Sequence, residues 1–216
     1  MCARLYKHME PFTQLTAVAA PLDIAKIDTG MITPGRFQRI RRRPGHADFA
    51  NAFLHDLRFD EHDNPRPDFV LNQPAYKDAR ILVTAADFGC GSSRESAAYA
   101  VLDYGLRALI GPGFGDVFYG NCMQIGVLPV VLADDAVQAL RRQLVDAPGA
   151  TMTVDLPNQK VTAPDGATYS FEIDSTRKER LIKGLDDVGV TLTHLAEIEA
   201  FEARYRSEMT WLAPVI

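Results

Sequence analysis

Cysteine is scarce in this chain. Its three copies, Cys2, Cys90 and Cys122, are odd in number and far apart, so they build neither a disulfide framework nor the C-x-x-C pair of a metal knuckle. The chain therefore lacks a thiolate set for zinc or an iron–sulfur centre, and we expect it to bind no metal and no cofactor by itself. Long apolar runs are missing too: no stretch approaches the roughly 18 uninterrupted apolar residues of a membrane helix. The start, Met1-Cys2-Ala3-Arg4 running into Lys7-His8-Met9-Glu10, has no apolar signal-peptide region, so a cytoplasmic location without a membrane partner is the expectation. Positive charge is not in excess. With 23 Lys and Arg against 28 Asp and Glu, a formal charge of −5 and a pI near 5.5, the surface as a whole is not built for nucleic acid, and no nucleic-acid partner is expected. No internal repeat or low-complexity tract is present. What is there, 47% hydrophobic and 24% charged residues over 216 positions, suits a globular protein with one substantial core or two small ones.

Along the chain, strands alternate with helices. Leu15 to Leu22 is a short apolar strand, and DIAKIDTGMITPGRF after it reads as loop, bent at Gly30 and Pro34-Gly35. The stretch from Gln38 to Phe69, rich in Arg, His, Asp and Pro, reads as a partly mobile excursion. A strand over Arg80 to Val83, a glycine-rich turn, and a helix from about Ser93 to Tyr104 form a strand–loop–helix unit; Ala97, Ala98, Val101 and Leu102 share one helix face and Gly105 closes it. Ala108-Leu109-Ile110 is a second strand, GPGFGDVFYGNC a second glycine-rich loop with a helical turn, and Val127 to Leu132 a third strand, so the unit recurs as in α/β proteins. Asp134 or Asp135 caps a further helix to about Leu144. TMTVDLPNQKVTAPDGATYSFEI alternates about its Pro-Asp-Gly as a β-hairpin, and Leu195, Ile198, Phe201 and Tyr205 give a C-terminal helix after Thr193.

The densest chemistry lies in DFGCGSSRES, Asp87 to Ser96, where two glycines, three serines, a cysteine and an arginine follow a strand. Glycine lets backbone amides approach a ligand closely, and a helix starting at Ser93 aims its partial positive end at the same point, so an anion is the natural occupant. Arg94 adds a planar fork for a carboxylate or phosphate, and the hydroxyls of Ser92 and Ser93 add further donors or a group that acts on a proton. The same spacing equally suits a plain tight turn with Ser92 or Ser93 as N-cap and Arg94 in water. Familiar motifs do not fit: there is no G-K-[ST], Arg94 stands where G-x-G-x-x-G needs its third glycine, and Arg94 or Glu95 stands where G-x-S-x-G needs its second. Cys90 has no histidine near it in sequence to make a nucleophilic pair. His46, His55 and His62, scattered among Asp56, Asp60 and Asp63, match no metal-ligand spacing.

DFGCGSSRESA, together with DYGLRALIGPGFGDVFYGNCMQIGVLPV, resembles the small-subunit family of 3-isopropylmalate dehydratase, hydro-lyases of leucine biosynthesis within the aconitase superfamily. PLDIAKIDTGMITPGRF is similar to that family's first loop, FLHDLRFDEHDNPRPDFVLNQPAY to its segment before the core strand, and LIKGLDDVGVTLTHLAEIEAFE to its C-terminal signature. In order, these cover the chain from about Pro21 to Glu202. The resemblance implies an α/β fold, a swivelling β/β/α domain like the aconitase C-terminal domain, with a β-hairpin and a C-terminal helical extension. Residues 1–216 would form one domain, with a flexible flap at about 37–53 and the extension at about 175–216.

The activity so implied is the interconversion of 2- and 3-isopropylmalate by dehydration and rehydration. The substrate is a small dicarboxylate, and the partner is a large subunit that holds a [4Fe–4S] cluster on three cysteines. Residue by residue, the resemblance implies Ser92 as the general base, acting as an alkoxide, and Ser93 and Arg94 as ligands of the substrate carboxylate; Arg36, just past Pro34-Gly35, is the further basic candidate for that grip. The flap's Arg41-Arg42-Arg43 run could draw dicarboxylates in, bind nucleic acid or face water. Two positions depart from the family pattern: Gly30 replaces the second aspartate of Asp-Thr-Asp, and Ser96 replaces a histidine. Both lie close to the chemistry, so the other readings are a hydro-lyase acting on another 2-alkylmalate and a non-catalytic dicarboxylate-binding or interaction protein.

Overall fold

The computed structural model describes residues 9–43, 45–91, 94–209 and 211. Its spine is strand β1 (Gln14–Leu22), which divides its length between two half-sheets. On one edge, Ala19 to Leu22 pairs in parallel with Ile81 to Thr84 of β2 (Ile81–Thr84). Strands β3 (Ala108–Gly111) and β4 (Leu128–Val131) extend that parallel half. On the other edge, Gln14 to Val18 pairs antiparallel with β5 (Thr151–Asp155), followed by β6 (Lys160–Thr162) and β7 (Thr168–Ser170). The result is a seven-stranded sheet in the order β4-β3-β2-β1-β5-β6-β7, a mixed α/β architecture of the class expected.

Both faces of the parallel half are covered, which is why β2 and β3 read as unbroken apolar runs and are buried at every position. Successive side chains point to opposite faces. Leu82 and Leu109 join a core with Ala97 and Val101 of α3 (Glu95–Tyr104) and Phe118 of α4 (Asp116–Ile125). Ile81, Val83, Ala108 and Ile110 join a second core with Val137, Leu140 and Leu144 of α5 (Asp134–Asp146), together with Val154 of β5 and Val161 of β6. Gly105 ends α3 in the left-handed region, φ 111°, as its position in the sequence suggests.

Several local readings are corrected. Residues 116–125 form a ten-residue helix rather than one helical turn. DIAKIDTGMITPGRF is not all loop: Asp28 caps a one-turn helix α1 (Thr29–Ile32), and Gly35–Arg39 is a 3-10 helix. Another single turn, α2 (His55–Arg58), follows in the excursion. Helix α3 starts at Glu95, later than the expected Ser93. Neither Asp134 nor Asp135 caps α5; Ala133 holds the cap position and both carboxylates sit in the first turn, where the helix dipole favours them. The region around Pro164-Asp165-Gly166 is the second of two hairpins, because β5 and β6 pair first.

At the C-terminus, α6 (Ser175–Lys183) is anchored by fully buried Leu181, and α7 (Asp187–Leu192) follows. Helix α8 (Leu195–Glu208) buries none of its residues, and Leu195, Phe201 and Tyr205 are exposed. Among the described residues, no helix is long and apolar enough to cross a membrane.

The N-terminal segment is fastened to this frame by Arg107, which is 5% exposed. Its Nε donates to the Gly126 carbonyl at 2.9 Å and its Nη2 to the Glu10 and Pro11 carbonyls at 3.1 and 3.3 Å, while Nη1 pairs with the exposed Glu10 carboxylate. Arg107→Met would strand those carbonyls without donors and is expected to lower unfolding stability by about 2 kcal/mol, read from the chemical-denaturation midpoint. Glu10→Gln removes only the exposed charge and is expected to cost less than about 1 kcal/mol.

Candidate active site

The loops that leave the C-terminal ends of β1, β2 and β3 do not diverge. They continue to pair with one another, at the end of a parallel sheet where α/β proteins commonly place ligands. The Lys26 amide donates to the Ala86 carbonyl at 2.8 Å, the Gly89 amide to Ile27 at 2.7 Å and the Thr29 amide to Cys90 at 3.0 Å, with an isolated parallel bridge between Asp28 and Cys90. On the other side, Phe88 bridges to Phe114, and the Gly115 amide donates to the Phe88 carbonyl at 3.1 Å. The glycine-rich stretch is thus the middle of three zipped loops.

This pairing explains its glycines. Gly89 has φ 75°, and a Cβ on it would lie 2.3 Å from the Phe118 ring; a Cβ on Gly115 would lie 2.2 Å from the Gly89 carbonyl oxygen. Backbone meets backbone and an aromatic ring with no space for a methyl group. Two amides of the stretch are engaged inside the lattice, Gly89 on Ile27 and Cys90 on Asp87.

Ser92 and Ser93 lie outside the described residues. They stand between Gly91, which has φ 88°, and Arg94, which occupies the N-cap position of α3 without a side-chain cap hydrogen bond.

Arg94 is half-buried. Its guanidinium lies beside Gly30, where a Cβ would be 3.5 Å from Nη1, and Gln38 meets it from the 3-10 helix, its amide oxygen accepting from Nε at 3.0 Å and Nη1 at 3.1 Å. Gln38 was not singled out from the sequence, and no motif marks it; only the one-turn geometry of Gly35–Arg39 turns it toward Arg94. Ser96 is half-buried on α3, and its carbonyl accepts from Thr33 Oγ1 at 3.2 Å, tying α3 to the end of α1.

Arg36 points elsewhere. Its guanidinium takes both oxygens of Asp56 and donates from Nη2 to His55 Nδ1 at 2.9 Å, holding the Asp56 carboxyl below its usual range. His55 is buried between the rings of Phe37 and Phe59, at centroid distances of 4.9 and 4.7 Å. Two arginines of the basic run are also paired within the chain. Arg42 meets buried Asp103 at 2.9 Å and lies over the Tyr99 ring, and Arg43 clasps Asp48, whose carboxyl it draws down to about 2.

Among the described residues, no three His, Cys, Asp or Glu side chains gather as a metal site. Cys122 is fully buried on α4, and burial pushes its thiol up; Cys90 is partly exposed in the middle loop. Those thiols do not fit a cluster. One hollow of about 750 Å³ lies between the Arg42–Ala47 segment, α3 and the start of α7, and another of about 780 Å³ between the end of β1 and α5. Neither is lined by Gly30, Gln38 or Arg94.

Comparison with known proteins places these features in a family context. Residues 9–135 match the family described as "Aconitase C-terminal domain" and residues 138–175 that described as "LeuD_N". Residues 187–215 match the family of the C-terminal domain of the 3-isopropylmalate dehydratase small subunit. The chain is similar to the 3-isopropylmalate dehydratase small subunit of Dinoroseobacter shibae, 47% identical over 204 residues, covering 94% of this chain and 100% of the relative. It is similar also to that of Rhodospirillum centenum, at 46% identity, 94% of this chain and 98% of the relative. Among solved structures, the 3-isopropylmalate dehydratase of Methanocaldococcus jannaschii superposes with a TM-score of 0.62 at 21% identity, over 89% of this chain and 99% of that one, which is a likeness of fold.

The zipped loops yield a direct test. Gly115→Ala forces a methyl group into the Gly89 carbonyl and is expected to destabilise by about 1–3 kcal/mol. Gly113→Ala, where a Cβ meets nothing within 4 Å, is expected to stay within about 0.5 kcal/mol of the parent. Thermal midpoints of the two variants, measured side by side, check this.

Proposed function

The chain belongs to the family of 3-isopropylmalate dehydratase small subunits, and from that premise we propose that it is one half of a hydro-lyase that interconverts 2- and 3-isopropylmalate in leucine biosynthesis. It works as one swivelling domain, in the cytoplasm, against a large-subunit partner. We assign the [4Fe–4S] cluster to that partner, and no step is routed through Cys90 or Cys122.

In this reading, Ser92 takes the proton from the carbon next to a substrate carboxylate. The C–H electron pair becomes the double bond as the hydroxyl leaves the neighbouring carbon on the partner's side, and water returns with the opposite regiochemistry. A serine alkoxide needs a lowered pKa. The N-terminal end of the ten-residue α3 and the Arg94 cation both favour negative charge at that place. Ser93 and Arg94 hold the carboxylate. Arg36 could join them only by giving up Asp56 and His55, so the grip falls to Arg94.

The observation that carries this reading is the placement of Arg94: it stands at the N-cap of α3 beside the zipped loops, with no carboxylate among the described residues in an ion pair with it. Gly30, standing beside that guanidinium in place of an acidic residue, favours a second reading, a related hydro-lyase for another 2-alkylmalate. Assaying the assembled enzyme on 2-isopropylmalate and on smaller and larger 2-alkylmalates separates the two.

Without its partner the chain is expected to fold but to dehydrate neither isopropylmalate; turnover by the purified chain alone would refute the division of labour. In the assembled enzyme, Ser92→Ala is expected to cut kcat by about 10² to 10⁴ while substrate still binds and the thermal midpoint holds. Ser93→Ala should mainly weaken binding. Arg94→Lys keeps the charge but loses the fork, and is expected to raise KM as well as slow turnover. A Ser92→Ala enzyme that melts early but turns over normally rejects the mechanism.

A further inference from the structure

The guanidinium of Arg94 is gripped along one edge by Gln38 and bordered by a residue without a side chain, Gly30. Gln38 accepts from Nε at 3.0 Å and from Nη1 at 3.1 Å through a single amide oxygen; the orientation is assigned from this network, since the reverse sets the amide NH2 against two donors. Two N–H groups converging on one oxygen fix the plane of a side chain that otherwise has wide rotamer freedom. The support is itself anchored, because the 3-10 helix that carries Gln38 also carries Arg36, held by Asp56 and His55. Beside the guanidinium stands Gly30, where a Cβ would lie 3.5 Å from Nη1 and 3.1 Å from Asp28 Oδ1, so any side chain longer than a methyl would crowd the fork. The carboxylate of that loop, Asp28, spends Oδ1 on the Met31 amide at 2.7 Å.

Other parts of this region solve the same problem differently. Arg36, Arg42 and Arg43 each lie against a carboxylate, Asp56, Asp103 and Asp48. A carboxylate holds a guanidinium firmly but cancels its charge. A neutral amide holds it and leaves the charge whole. We propose that Gln38 is the positioning residue for Arg94, so that a neutral partner fixes the fork in place and leaves it to meet one carboxylate of a small dianionic substrate. The inference rests on the reading of Arg94 as a carboxylate ligand given above, and it adds what aims the fork and why that partner is uncharged.

The test uses the assembled two-subunit enzyme. It measures Kd for 2-isopropylmalate by calorimetric titration, together with kcat, KM and the thermal midpoint. Gln38→Met keeps the shape and removes the acceptor; it is expected to weaken binding and raise KM roughly tenfold, since two hydrogen bonds to a charged group are lost, with kcat and midpoint little changed. Gln38→Glu restores the acceptor but neutralises the fork, and is expected to weaken binding at least as much. An unchanged Kd in Gln38→Met overturns the positioning role, and Gln38→Glu binding like the parent overturns the charge argument. Loss of kcat with unchanged KM, or a parent complex that does not bind the dianion, overturns both. A parent complex that binds 2-isopropylmalate without turning it over sinks the isopropylmalate reading instead, while the comparison of Kd among the variants still decides the role of Gln38.

Discussion

A buried peptide group must find a hydrogen-bond partner, and past the ends of β1, β2 and β3 the loops find theirs in one another. The amides of Lys26, Gly89, Thr29 and Gly115 close that lattice. It exists only because two backbones and the Phe118 ring come closer than any Cβ would permit at Gly89 and Gly115. The start of α3, and with it Arg94, is placed by the middle loop. Rigidity at this point is a backbone property, which suits a site whose acting groups must be held to within about 0.5 Å.

Strand β1 sets the larger frame. By giving Ala19–Leu22 to a parallel neighbour and Gln14–Val18 to an antiparallel one, it joins two half-sheets with different needs. The parallel half needs helices on both faces and obtains them from α3 and α4 on one side and α5 on the other. All its strands point their C-terminal ends the same way, so the loops after β1, β2 and β3 gather at one end. The antiparallel half needs only short turns, and it closes the second core with Met152, Val154 and Val161.

The charges of the intervening segment divide into two kinds. Arg36 with Asp56 and His55, Arg42 with Asp103, and Arg43 with Asp48 are internal ties; Asp103 also accepts from the Phe49 amide at 3.0 Å, so one buried carboxylate fastens both ends of the 42–49 stretch to α3. The basic run that could have served nucleic acid, substrate capture or solvation is in large part structural. Arg94 differs in having a neutral amide as its partner.

The apolar runs at β1 to β4, the helix after the glycine-rich turn and its closing Gly105 were all legible in the sequence, because burial on both faces and helix termination act on neighbouring residues. The glycine-rich stretch was legible too, as a dense local pattern ahead of a helix. Hidden from it were the length of α4, the second hairpin and the later start of α3, which packing rather than local preference decides. The sequence marks Arg36, Arg41, Arg42, Arg43 and Arg94 alike as cations and is silent about Gln38. Which arginines are spent on internal carboxylates and which one rests on a neutral amide depends on residues 5 to 61 positions apart. Only the folded chain brings those together, because a charge takes its meaning from what stands within a few ångströms of it, and spacing along the chain does not carry that distance.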